Sequence, residues 1–107
     1  MLAHYIKVAT SDIENLIELT KFDIEDVKRA DHEKLFSRTG QKDDLVASFS
    51  NKKSMLDNEL AKKLKESGKS KLEDVLDEEE SEAFSKLKQA LSELYDTNRR
   101  FAKLVVG

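Results

Sequence analysis

The chain has no cysteine, no proline and no tryptophan, and only three glycines in 107 residues. Without cysteine it can build neither a disulfide framework nor a thiolate metal site. Without proline, nothing in the sequence forces a helix to stop. The three glycines, Gly40, Gly68 and Gly107, stand far apart, which excludes a phosphate-cradling loop. No apolar run approaches the roughly 20 residues needed to cross a bilayer. The opening Met1-Leu2-Ala3-His4-Tyr5-Ile6-Lys7 lacks the basic-then-apolar order of a signal peptide. Neither sign of charge dominates: the net charge is −3, so no electrostatic footprint for nucleic acid or an anionic membrane is expected. These absences lead to the expectation of a soluble, cytoplasmic protein that binds no nucleic acid and inserts into no membrane.

What is present is charge and helical periodicity. Hydrophobic and charged residues each make up 38 % of the chain and aromatics only 7 %, the balance of long solvated helices rather than of a thick core. From the start, Leu2, Ile6, Ala9, Ile13, Leu16, Thr20, Ile24 and Val27 recur near one helical face. Carried on in the same phase, that stripe meets Asp31, Lys34, Arg38 and Gln41, all polar. A stripe in another phase follows: Leu35, Thr39, Lys42, Val46, Phe49, Lys53, Leu56, Leu60, Leu64. The slip predicts a turn near Ala30-Asp31, with Asp31 as N-cap of the next helix. Phe22 and Phe36 flank this turn and are expected to close it.

Gly40 falls inside the second stripe without breaking its phase, so the helix is expected to run through it. Ser67-Gly68-Lys69-Ser70 is the clearest punctuation and predicts a glycine C-cap. Ser70-Lys71-Leu72-Glu73 has the spacing of a capping box and predicts a short helix. Asp77, followed by Glu78-Glu79-Glu80, places acid at the positive end of a third helix. That helix carries a heptad seam: Phe84, Leu87, Leu91, Leu94, Asn98, Phe101, Val105. Asn98 either fixes register in the seam or meets water at its edge. Leu104 and Val106, beside Phe101 and Val105, make the helix end apolar nearly all round, as expected of a surface that meets more protein.

The expected fold is all-α: an elongated antiparallel three-helix coiled-coil bundle in one domain, 1–107. Helix one is placed at about 2–30, helix two at about 31–66, the turn at 67–70, the short helix at 70–76 and helix three at about 77–106.

Little in the chain suggests chemistry. His4 and His32 are not joined by the three or four converging ligands that a zinc site needs. The acidic run Asp77 to Glu80 lacks the glycine-bearing loop of a calcium site. Lys52-Lys53 and Lys62-Lys63 give helix two a basic face that is expected to be solvated. No nucleophile has a plausible base nearby. No catalytic residue, cofactor or metal is expected.

In Ala30-Asp31-His32-Glu33-Lys34-Leu35, followed by Lys42 and Leu45-Val46, and in Asn98-Arg99-Arg100, the chain resembles the FlgN family of flagellar export chaperones. The three-helix layout of the resemblance covers the whole chain. It implies a cytoplasmic type III export chaperone that binds C-terminal helical segments of hook-associated proteins and delivers them to components of the export apparatus. It also implies a partner grip in the C-terminal part of the chaperone. In this chain that grip is expected at the apolar end of helix three, with Asn98, Phe101, Leu104, Val105 and Val106. Family members usually continue beyond the point where this chain reaches Gly107, so part of that grip is expected to be missing. Without a partner, the end of helix three is expected to self-associate weakly. The residues also leave open a structural coiled-coil spacer or oligomerisation module with no client.

Overall fold

Backbone capping divides the chain. The computed structural model describes residues 2–106, apart from the side chain of Val106. Helix α1 spans Leu2–Lys28, α2 His32–Ser67 and α3 Glu78–Val106, with a 3₁₀ turn at Leu72–Asp74 before α3. There is no strand among the described residues. The protein is all-helical.

α1 ends two residues earlier than the stripe predicts because Ala30 adopts a left-handed backbone, φ 56°. The Ala30 N–H donates to the Val27 carbonyl at 3.0 Å and the Asp31 N–H to the Asp26 carbonyl at 2.8 Å. This bond pair is a Schellman turn, which satisfies carbonyls left free at a helix end. Asp31 also faces the other way: its carboxylate accepts the Lys34 N–H at 3.3 Å and caps α2. One residue thus closes a helix and opens the next. α2 runs through Gly40 and stops at Gly68, whose φ of 70° suits glycine. The predicted capping box at Ser70 does not form, since Lys71 is extended and no side chain caps the turn that follows it. A reciprocal box forms instead at Asp77 and Glu80, each backbone N–H donating to the other's carboxylate, at 3.0 and 2.7 Å.

Ion pairs give the course of the helices. Asp12 meets Lys52 and Asp23 meets Lys42, so α2 runs against α1. Lys7 meets Glu79 and Lys21 meets Glu93, so α3 runs alongside α1 in the same sense. The result is a rod of 54 × 21 × 20 Å with a radius of gyration of 16.7 Å. A compact chain of this length would have about 13 Å. The long dimension is that of α2, about 54 Å at 1.5 Å per residue.

α1 is the inner helix, packed by α2 on one side and α3 on the other. Leu2, Ile6, Ala9, Ile13, Leu16, Thr20 and Ile24 of its stripe are buried, and so are Thr10, Asp12, Ile17, Asp23 and Asp26 beside it. Serving two neighbours widens the buried face beyond one seam. Thr10, Thr20 and Thr97 satisfy their buried hydroxyls by donating to the carbonyl four residues back, at 2.7 to 2.8 Å.

The two outer helices are turned relative to their predicted stripes. On α2, Thr39, Val46 and Lys53 are exposed, while Leu45, half-buried, packs on the core and Arg38 and Lys52 reach acids of α1. On α3, Leu91, Asn98 and Val105 are exposed, and Ala83, Ala90 and Thr97 are buried in their place. The cause is size. Small residues spaced seven apart let α3 approach α1 closely and push the large line to the flank. Phe22 and Phe36 do not close the first turn: Phe36 is 78 % exposed and Phe22 lies under the Arg38 guanidinium, 5.5 Å from its ring centre.

The core is also uneven along the rod. The apolar cluster joins the first half of α1 to Leu56 and Leu60 of α2 and to Ala83, Leu87 and Ala90 of α3. At the other end, charge replaces it. Asp23 accepts from Arg38 at 2.9 Å and from Lys42 at 2.8 Å, and Asp26 pairs with the same guanidinium. Arg38, read as a sign that the seam had ended, is therefore part of the contact between α1 and α2.

Candidate functional site

With α1 wedged between them, α2 and α3 diverge on the opposite side and leave a groove. It is lined by Phe49, Leu56 and Leu60 of α2, by Phe84, Leu87 and Leu91 of α3, and by Leu72 of the connecting turn. Beyond Leu72 the depression continues past Leu64 and Leu76. In the other direction α2 presents Val46, 51 % exposed, and α3 presents Tyr95, 63 % exposed. Half-buried Leu94 and Phe101 continue the inner edge, with the Lys42 ammonium 5.3 Å from the Phe101 ring centre.

Both walls repeat every seven residues. On α3 the flank reads Phe84, Leu91, Asn98, Val105; on α2 it reads Val46, Lys53, Leu60. A seven-residue repeat keeps one line of side chains facing a partner helix along its length. The heptad seam predicted for α3 is thus a composite: Leu87 is buried, Phe84, Leu94 and Phe101 are half-buried, and Leu91, Asn98 and Val105 are exposed. The small line Ala83, Ala90, Thr97 was the missed signal, because it shows which of two adjacent heptad lines takes the close contact.

The predicted grip residues separate on this surface. Asn98 is exposed and does not sit in the buried seam; Thr97 does. Phe101 is half-buried under Lys42. Leu104 continues the α1-facing line and is 39 % exposed, whereas Val105 is 60 % exposed on the flank. Both lie near the end of the bundle, where little protein remains to cover them. The side chain of Val106 and the whole of Gly107 lie outside the described residues.

The buried acids all have cationic neighbours. Asp12 accepts from Ser48 at 2.9 Å and from Lys52 at 2.8 Å, and Glu80 takes both of its contacts from Lys63 at 2.8 Å. Lys52 and Lys63 therefore belong to contacts between helices rather than to a solvated basic face. Opposing effects meet at Arg38. Burial works against its charge, but hydrogen bonds to Asp23 and Asp26 and their coulombic attraction outweigh this and raise its pKa. These are structural ion pairs, with each carboxylate already committed to a cation. Among the described residues, no group of three or more His, Cys, Asp or Glu side chains could hold a metal ion. No described helix is long and apolar enough to cross a membrane.

No protein-family model, no curated protein and no solved structure matches this chain.

Proposed function

We propose that this chain is a non-enzymatic binding module that holds a helical segment of a partner protein, in the manner of the FlgN-like export chaperones it resembles. In this reading the rod is an antiparallel coiled-coil bundle in the cytoplasm. Its clients are C-terminal helices of hook-associated flagellar proteins, passed on to the export apparatus.

The observation that carries the proposal is the uncovered heptad flank of α3. Leu91 and Val105 are exposed in one heptad line with half-buried Phe84, and Val46 of α2 is exposed as well. Large apolar side chains left in helical register make an association surface, and helix-in-groove recognition uses anchors at that spacing. A spacer with no client would need its apolar stripes covered within its own bundle. The exposure of Leu91, Val46, Tyr95 and Val105 counts against that reading.

Asn98, Phe101, Leu104, Val105 and Val106 form the far end of the same surface in this proposal. Val105→Glu tests them with least harm to the fold, since Val105 is among the most exposed of them while Phe101 is packed. With a C-terminal peptide of a hook-associated protein, titration calorimetry should give at least a tenfold loss of affinity for this variant, about 1.4 kcal/mol. Helicity should be unchanged. Absence of binding to the unaltered chain would refute the client class, and an unaffected Val105→Glu would move the grip away from the end of α3.

A further inference from the structure

Resting on the helix-binding reading, we propose that the groove between α2 and α3 selects an amphipathic helix with an acidic flank, through Lys88 and Arg99. The charges of α3 are sorted by side. Three of its acids are paired away from the groove: Glu79 with Lys7, Glu93 with Lys21, and Glu82 with Lys86. Glu80, at the end of the groove, is buried against Lys63. Lys88 lines the groove, its ammonium 5.0 Å from the Phe84 ring centre. Arg99 lies 5.8 Å from the ring centre of Tyr95.

Lys88 and Arg99 are eleven residues apart, three helical turns, and so share one side of α3. Among the described residues neither has an ion-pair partner, in contrast to the lysines that face α1. The other charges that line the groove offset one another: Lys53 pairs with Asp57 at 3.2 Å, and Lys71 stands with Glu73. The groove is therefore apolar along its floor and positive along one rim. Flanking charges of this kind choose the partner and its orientation in helix pairing.

A second copy of this chain does not fit as the occupant. In a two-fold dimer joined groove to groove, an axis across the rod would bring the Lys88 and Arg99 rim of one copy against the same rim of the other, where like charges oppose pairing. An axis along the rod would set that rim against α2, whose Lys53 and Asp57 already pair with each other and leave it unmatched. A helix with apolar residues at heptad spacing and glutamates on the flank towards α3 satisfies both floor and rim.

The test uses two synthetic three-heptad peptides with the same leucine and isoleucine seam, one flanked by glutamate and the other by lysine. Each is titrated into the full chain at low salt by calorimetry. The glutamate peptide should bind about fivefold or more tightly than the lysine peptide, as expected for two partly exposed charge contacts. Lys88→Glu with Arg99→Glu should reverse that order without loss of helicity by circular dichroism. Leu91→Glu should abolish binding of both peptides. If both peptides bind the unaltered chain equally, or if the order survives the double reversal, the acidic-flank inference is overturned while helix binding stands. If neither peptide binds, both fall. A dimer in sedimentation equilibrium that Leu91→Glu dissolves would make a second copy the occupant and overturn the proposal.

Discussion

Ala30 pays a conformational cost that glycine would not. Its φ of 56° lies in the left-handed region, where an L side chain crowds the following carbonyl. The turn holds it there with two backbone bonds, and Asp31 holds the next residue by capping α2. Ala30→Gly should therefore stabilise the protein by about 1 kcal/mol, read from the urea midpoint at constant slope. Gly68 is the mirror case, with the same backbone region but the suited residue. An added Cβ there meets no atom within 4 Å, so Gly68→Ala should cost about 1 kcal/mol through backbone strain alone. Equal effects of one sign from the two substitutions would contradict the assignment of strain to φ.

At the scale of elements, α1 makes two different kinds of contact. Towards α3 it meets the small line Ala83, Ala90 and Thr97, and at the surface it adds exposed ion pairs, which contribute little. Towards α2 it is tied by buried acids. Asp23 is 4 % exposed and holds both Arg38 and Lys42. Removing one member of a buried network leaves the others desolvated without a partner, so Asp23→Ala should destabilise the fold by about 3 kcal/mol. A chemical denaturation series would show it; a loss under about 1 kcal/mol would mean that Lys42 and Arg38 turn out to solvent at no cost. The sign of the pH dependence follows from Arg38. A cation whose folded pKa is raised contributes fully below its unfolded pKa and loses that contribution only as pH climbs through the folded value. That range is strongly alkaline, so the Arg38 contribution persists across neutral pH.

The whole molecule is a rod with unlike ends. One end holds the apolar cluster of Leu2, Ile6, Ala9, Leu56, Leu60, Ala83 and Leu87; the other relies on Asp23, Asp26, Arg38 and Lys42 and leaves Phe36, Leu104 and Val105 exposed. Apolar burial resists local opening better than ion pairs near the end of a bundle do. Amide hydrogen exchange should therefore be slower in residues 52–62 and 82–92 than in 34–44 and 96–104. The gap should change little with salt, since pairs this buried are screened weakly. Uniform protection along α2 would show that the rod opens as one unit.

Helix content, the Asp31 cap, the Gly68 stop and the rod's length follow from local sequence. Absence of proline, capping chemistry and a 3.6-residue period act within a few residues, and a chain can satisfy them before it meets its neighbours. The α1 stripe was legible for the same reason, since an inner helix buries whatever is apolar on it. Which face of α2 and of α3 turns inward was not legible. Phe84–Leu91–Val105 and Ala83–Ala90–Thr97 are adjacent lines of equal periodicity, and period alone ranks the larger one first. Only the packed bundle decides between them, because close approach to α1 favours the small line and buried Asp12 and Asp23 draw Lys52, Arg38 and Lys42 inward. That choice leaves the large line facing outward, so the groove and its basic rim exist only at the level of tertiary structure.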